Sequence, residues 1–274
     1  MKRAELVNEI ISKKSMLCVG LDTDITKVPD FLKNEYENPV LEFNERIIEA
    51  TADCAVAYKV NTAFYEAQGA EGWKNLEATF KMIPDNCFKI ADAKRADIGN
   101  TSAMYAKALY ENLGADAVTI SPYMGFDSVE PFLQYSEKWS ILLALTSNKG
   151  SLDFQKLIIE KKNVPLYIEV IEKSTSWGTE GNLMYVIGAT HPEEFLQIRK
   201  YIPDHFLLVP GVGSQGGNLE EILKNGMNKD YGLLINVSRD IIYNSNDKDF
   251  SVKAGQKAEF YRNIMAKFIE KYMK

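Results

Sequence analysis

The sequence predicts an α/β fold, a closed (β/α)8 TIM barrel, and three observations carry that expectation. Apolar runs of strand length recur eight times, near residues 16, 55, 87, 117, 140, 184, 206 and 233. Amphipathic segments of helical period separate them, the pattern of a parallel sheet covered by helices. Polar residues collect at the C-terminal end of nearly every run, where barrel enzymes build their sites. Eight such units in 274 residues favour a closed barrel over a doubly wound sheet.

Taken in order, MLCVGLD (16–22) reads as a buried strand ending in a carboxylate, and the helical pattern PVLEFNERIIEATAD follows it. CAVAYKVN (54–61) precedes EGWKNLEATFKMI, and CFKIADA precedes a helix beginning near Thr101. AVTIS leads to DSVEPFLQY, and ILLALTS to a long connection holding DFQKLIIEKK and PLYIEVIEKSTSW. LMYVIGAT pairs with PEEFLQIRKYI, HFLLVPGV with NLEEILKNG, and GLLINVS with the terminal helical segment. The expectation is one domain over residues 1–274, with an extra helical connection around 151–182.

Composition excludes several classes. Hydrophobic residues make up 46% and charged residues 26%, with a net charge of −6, so no basic field exists to follow a nucleic-acid backbone. The opening stretch is broken by Glu5, Glu9, Lys13 and Lys14, and no later run approaches the roughly 18 apolar residues of a spanning helix. Neither nucleic acid nor membrane is expected as a partner, and the expected location is cytoplasmic. Cys18, Cys54 and Cys87 lie in apolar contexts as core residues. His191 and His205 sit where a structural or exposed role is expected. No H-E-x-x-H, nucleophile elbow or Cys/His ligand spacing occurs, so no metal or cofactor is expected and the chemistry falls to lysine and carboxylate.

The densest charge follows the third run, where FKIADAKRADIG places Asp92, Lys94, Arg95 and Asp97 within six positions. Period two puts Ile90, Asp92 and Lys94 on one side of the strand, so the row turns charged only as the strand ends. Lys59 at the adjacent strand end can meet Asp92, giving a chain Lys59, Asp92, Lys94, Asp97. Other strand ends contribute Asp22, Asn61, Ser121, Thr146, Ser147, Thr190, Ser238 and Arg239. After the seventh run, VPGVGSQGG satisfies G-x-G-x-x-G at Gly211, Gly213 and Gly216, but too late in the chain for a dinucleotide fingerprint. A glycine-rich turn offering backbone N–H groups to one phosphate fits better, with Arg239 as a forked donor.

These residues resemble the orotidine 5′-phosphate decarboxylase family, in its longer bacterial form, over essentially the whole chain. The likeness rests on D-x-K-x-x-D-I at Asp92, Lys94, Asp97 and Ile98, with LD at 21–22, YKVN at 58–61, LTSN at 145–148, PGVGSQGG at 210–217 and SR at 238–239. It implies a phosphate-binding barrel of the ribulose-phosphate-binding-barrel type that converts orotidine 5′-monophosphate to uridine 5′-monophosphate without a cofactor. By the same resemblance, Asp22 and Lys59 bind ribose hydroxyls, Asp92 stands near the substrate carboxylate, and Lys94 protonates the ring carbon. Asp97 and Thr101 would cross a homodimer interface, Ser147 would meet the pyrimidine, Gln215 and Arg239 would hold the phosphate, and Pro210 would also bind substrate. Ala96, Lys149 and Ser238 differ from residues frequent at those places and touch loop shape more than charge.

Three other readings compete. A magnesium-dependent β-keto sugar-phosphate decarboxylase of a related barrel family expects a glutamate where this chain has Lys59. A Schiff-base aldolase needs a neutral lysine, which dense pairing with aspartates disfavours. A non-catalytic pyrimidine nucleotide sensor would bind the nucleotide without turnover.

Overall fold

The computed structural model describes residues 1–213 and 216–272, the last without its side chain. Its strands are β1 (Leu17–Leu21), β2 (Ala55–Asn61), β3 (Phe88–Arg95), β4 (Ala117–Ile120), β5 (Trp139–Leu145), β6 (Ile158–Ile159), β7 (Val164–Pro165), β8 (Leu183–Ile187), β9 (Leu207–Pro210) and β10 (Leu233–Val237). Eight of them close a barrel in the order β1-β10-β9-β8-β5-β4-β3-β2, every neighbour parallel. The eight match the apolar runs of the sequence. All five residues of β1, and all five of β10, are buried, because one face fills the barrel and the other lies under helices; that is why the runs are continuous rather than alternating.

The helix Pro39–Thr51 shows how the outer layer is specified. Asn38 caps it by accepting a hydrogen bond from the Leu41 N–H, and Pro39 takes the first turn, where a missing N–H costs nothing. Val40, Phe43, Ile47 and Ile48 form its buried stripe. The Phe43 ring stacks on Phe250 at 5.1 Å, joining this helix to the terminal helix Phe250–Tyr272.

Connection 151–182 has one feature the periodicity of DFQKLIIEKK did not foretell. A single helical turn, Ser151–Phe154, gives way to the antiparallel pair β6 and β7, with Ile159 opposite Val164, before the helix Leu166–Ser174. β-branched Ile158, Ile159 and Val164 favour the extended pairing. Asn163 adopts φ +53° at the turn, which asparagine tolerates better than most residues.

A part-buried arginine ties together backbone at the end of the barrel opposite the polar strand ends. Arg199 donates to the carbonyls of Gly226, Ile202, His205 and Gly232 at 2.6–3.1 Å. Burial lowers its pKa to about 9, so it stays charged at neutral pH. Beside it, His205 packs against the Tyr185 ring, and both ring nitrogens are buried without a hydrogen-bond partner among the described residues. Burial lowers the His205 pKa from 6.5 to about 4; Arg3 and Arg199 act the same way, against Glu180 and Asp204.

Between about pH 6.5 and 4 the unfolded chain therefore binds the proton that the folded His205 refuses, and stability falls as the pH falls. His205→Phe is expected to flatten that part of the Tm-against-pH curve. At pH 5 it should raise Tm by roughly 2–4 °C, equivalent to about 1 kcal/mol in a chain of this size. An unchanged slope in differential scanning calorimetry would show that His205 is not the titrating group. Among the described residues, no helix is long and apolar enough to cross a membrane.

Candidate active site

The C-terminal mouth of the barrel holds a cleft of about 270 Å³, lined by residues from all eight barrel strands or the loops that follow them. Asp92 is at its centre. Its Oδ2 accepts from Lys59 Nζ at 2.9 Å, and its Oδ1 accepts from Lys94 Nζ at 2.6 Å and from Thr119 Oγ1 at 2.9 Å. Lys59 Nζ also lies 3.4 Å from Asp22 Oδ1. β2 and β3 pair with Lys59 opposite Ile90 and Asn61 opposite Asp92. That register brings the ammonium and carboxylate of neighbouring strands together over the apolar interior.

Burial favours neutral forms, and both groups defeat it by pairing. Burial raises the Asp92 pKa, but the Lys59 and Lys94 ammoniums outweigh it and hold the carboxyl well below its usual 3.8. Burial lowers the Lys59 pKa, but Asp22 and Asp92 outweigh it and hold the ammonium well above 10.5. The stabilisation from Asp92 is present above pH 3.8 and lost as the pH falls through the depressed value; that from Lys59 is present below pH 10.5 and lost as the pH rises through the raised value. Asp92 and Lys59 are thus both charged throughout the neutral range. Cys18, buried beneath it, has its thiol pushed up to about 12, chiefly by burial, and stays protonated.

Lys94 leaves the regular strand. Its φ is +47°, and the β3–β4 register shifts between Ala91 and Arg95, so four steps along β3, from Ala91 to Arg95, match two along β4, from Val118 to Ile120. The bulge re-aims the end of the row. Left-handed geometry at a lysine is strained and persists only where its surroundings over-determine it; here the Lys94 N–H donates to Thr119 Oγ1 at 3.0 Å. The Lys94 side chain remains half exposed in the cleft while Lys59 is 5% exposed, so of the two ammoniums lining the cleft it is the more open to a bound molecule.

Thr119 holds both Asp92 and Lys94, and the sequence reading passed over it for Ser121, which does not line the cleft. Its signal was the inward row Ala117, Thr119 of a four-residue strand, too short to establish a period. Thr119→Val keeps the shape and removes both bonds, so it is expected to cost about 1–3 kcal/mol in chemical denaturation, with Thr119→Ser recovering most of the loss. Equal stability of the valine variant would show that the two bonds contribute nothing net.

The remaining predicted residues are distributed around the rim. Asp22 lies in the loop after β1, where Tyr243 Oη donates to the Asp22 carbonyl at 3.0 Å and accepts the Asp24 N–H at 2.8 Å. Thr23 donates to Asn44, which in turn donates to Tyr65 and Thr79, so this loop is tied to the core. Thr146, Ser147 and Asn148 line the cleft beyond β5. Gly188 lets that loop approach, since a Cβ there would come within 2.7 Å of the Ser147 nitrogen. Pro210, Gly211, Ser238 and Arg239 complete the opposite wall. Gly211, Gly213 and Gly216 have φ of +100°, +86° and +81°, values that strongly favour glycine. Gln215 lies outside the described residues.

Two predicted residues do not join this cleft. Asp97 is half-buried beyond β3, where its Oδ1 accepts the Ile98 N–H at 2.8 Å, and Thr101 is exposed on the helix Gly99–Lys107. Nor do Thr190 and His191 line it. Cys18, Cys54 and Cys87 are buried free thiols. Among the described residues, no group of three or more His, Cys, Asp or Glu side chains is arranged to hold a metal ion.

The family described as "Orotidine 5'-phosphate decarboxylase / HUMPS family" matches residues 15–254. A relative from Christiangramia forsetii called "Orotidine 5'-phosphate decarboxylase" is 56% identical and covers 99% of this chain and 100% of its own length. The solved "Structure of Leishmania donovani OMP decarboxylase" superposes with a TM-score of 0.81 at 36% identity, over 97% of this chain and 99% of that one. The "Structure of Leishmania donovani UMP synthase" gives 0.80 at 38% identity over 94% of this chain but 56% of that one. The present chain thus spans about half the length of the synthase.

Proposed function

This chain belongs to the orotidine 5′-phosphate decarboxylase / HUMPS family, and from that premise we propose that it converts orotidine 5′-monophosphate to uridine 5′-monophosphate and carbon dioxide, as a cytoplasmic homodimer in pyrimidine biosynthesis. The observation that carries the proposal is the carboxylate of Asp92 held between two ammoniums at the mouth of a closed barrel.

Arg239 and the glycine turn, with Gln215, take the phosphate; Asp22 and Lys59 take the ribose hydroxyls; Ser147 meets the pyrimidine. Anchoring the distant phosphate supplies binding energy that is expressed at the reacting ring. The substrate carboxylate then faces Asp92. The bond from C6 to the carboxylate carbon breaks, its electron pair stays on C6, and carbon dioxide leaves. Lys94 Nζ provides positive charge where that pair develops, gives its proton to C6, and is reprotonated from solvent. Like charge at Asp92 opposes the bound carboxylate and is relieved as carbon dioxide departs.

Charge supports the nucleotide reading over the magnesium-stabilised enediolate of a sugar-phosphate decarboxylase. A divalent cation beside Asp92 would stand against the ammoniums of Lys59 and Lys94, which are already hydrogen-bonded to that carboxylate. The test is loss of orotidine 5′-monophosphate ultraviolet absorbance by purified protein in excess chelator, with the product identified chromatographically. Turnover to uridine 5′-monophosphate is expected. Binding of uridine 5′-monophosphate without turnover would instead support the sensor reading, and turnover only with added magnesium would sink the metal-free one.

A further inference from the structure

Ser147 belongs to a loop whose shape depends on a side chain outside the cleft. Gln155 lies in the connection after β5, and its amide grips Thr146 twice. Gln155 Oε1 accepts the Thr146 N–H at 2.7 Å, and Gln155 Nε2 donates to Thr146 Oγ1 at 2.9 Å. Thr146 Oγ1 in turn donates to Asn148 Oδ1 at 2.6 Å. One amide thus fixes the backbone where β5 ends and, through a threonine hydroxyl, the orientation of Asn148. Thr146, Ser147 and Asn148 all line the cleft.

Gln155 is itself firmly mounted. Its N–H donates to the Ser151 carbonyl at 2.9 Å, and its carbonyl accepts the Tyr167 N–H at 3.0 Å. The next residue, Lys156, pairs with Glu194, which also accepts from the Tyr167 hydroxyl. The grip is therefore anchored to the helix Leu166–Ser174 and to the helix Glu194–Tyr201 after β8. Only an amide presents an acceptor and a donor side by side in this geometry. A carboxylate accepts from the same N–H but draws the Thr146 hydroxyl proton to itself, releasing Asn148.

We infer that Gln155 is a positioning residue for base recognition: it presets the 146–148 loop against the pyrimidine and has no part in holding the phosphate. The inference rests on the nucleotide reading above. Its probes are uridine 5′-monophosphate and ribose 5-phosphate, which share the sugar phosphate and differ by the base, with affinities read by calorimetry for the wild type, Gln155→Leu and Gln155→Glu.

Gln155→Leu is expected to weaken uridine 5′-monophosphate about 10-fold, as for loss of a part-buried pair of hydrogen bonds, and to leave ribose 5-phosphate within about twofold. KM for orotidine 5′-monophosphate should rise by a similar factor while kcat changes less. Gln155→Glu, which keeps the backbone bond and is the milder insult to folding, should fall between leucine and wild type. Unchanged affinity for uridine 5′-monophosphate in both variants, or equal weakening of both probes, would overturn the inference. Failure of the wild type to bind uridine 5′-monophosphate would overturn the nucleotide reading itself, a result visible before any variant is made.

Discussion

Lys94→Ala is expected to lower the rate of orotidine 5′-monophosphate decarboxylation at least about 10³-fold while leaving the barrel folded. The size follows from two effects lost together: a positioned proton donor contributes typically ~10²–10⁴-fold, and a fixed charge at the developing anion a comparable factor. Stability should change little. The side chain is half exposed, and alanine meets the same left-handed φ that lysine tolerates at that position. Asp92 would keep Lys59 at 2.9 Å and Thr119 at 2.9 Å, so it is not left as an unpaired buried charge. Lys94→Arg separates the two effects, because a guanidinium retains the charge but does not release a proton near neutral pH. A rate within tenfold of wild type for the alanine variant would remove Lys94 from the mechanism.

Mixing Lys94→Ala and Asp97→Ala subunits is expected to restore about a quarter of wild-type activity from two nearly inactive parents. Random exchange makes half the dimers mixed, and each mixed dimer holds one site with both residues intact. The motivation is where Asp97 lies: it is absent from the cleft that gathers Asp92, Lys94 and Lys59, although it stands only three residues beyond Lys94. The segment that follows it exposes Ile98 and Met104, at 57% and 54%, apolar side chains suited to contact with a second copy of the chain. Activity no greater than the mean of the parents, after exchange verified by native mass spectrometry, would sink the shared-site proposal.

The legible and illegible parts of the site divide by the range of the interactions that make them. Lys59, Asp92 and Lys94 could be placed at strand ends because a period of two and a run of apolar residues are local signals. That Lys59 meets Asp92 required only that β2 and β3 be neighbours, which consecutive strands usually are. The left-handed turn at Lys94 was not legible: the bulge arises from how β3 and β4 pair, and nothing in KRAD announces it. Thr119 was missed because its importance comes from two residues on another strand. Gln155 read as part of a helical piece, whereas it follows a single helical turn and leads into a hairpin, with its amide turned back onto the end of β5.

By itself the sequence determined the alternation of strand and helix, the closure of eight units into a barrel, the polar rim, and the family to which the chain belongs. The alternation, the eight units and the polar rim follow from composition and spacing along the chain, where each residue acts through its own neighbours; the family rests on the likeness of the motifs at 58–61, 92–98, 145–148 and 210–217. The tertiary structure decided which strand ends converge, and hence that one carboxylate holds two ammoniums, that Lys94 leaves the regular strand, and that Asp97 lies outside the lining of the cleft. It had to, because charges at separate strand ends acquire their energies only from distance and burial, and both are fixed when the barrel closes.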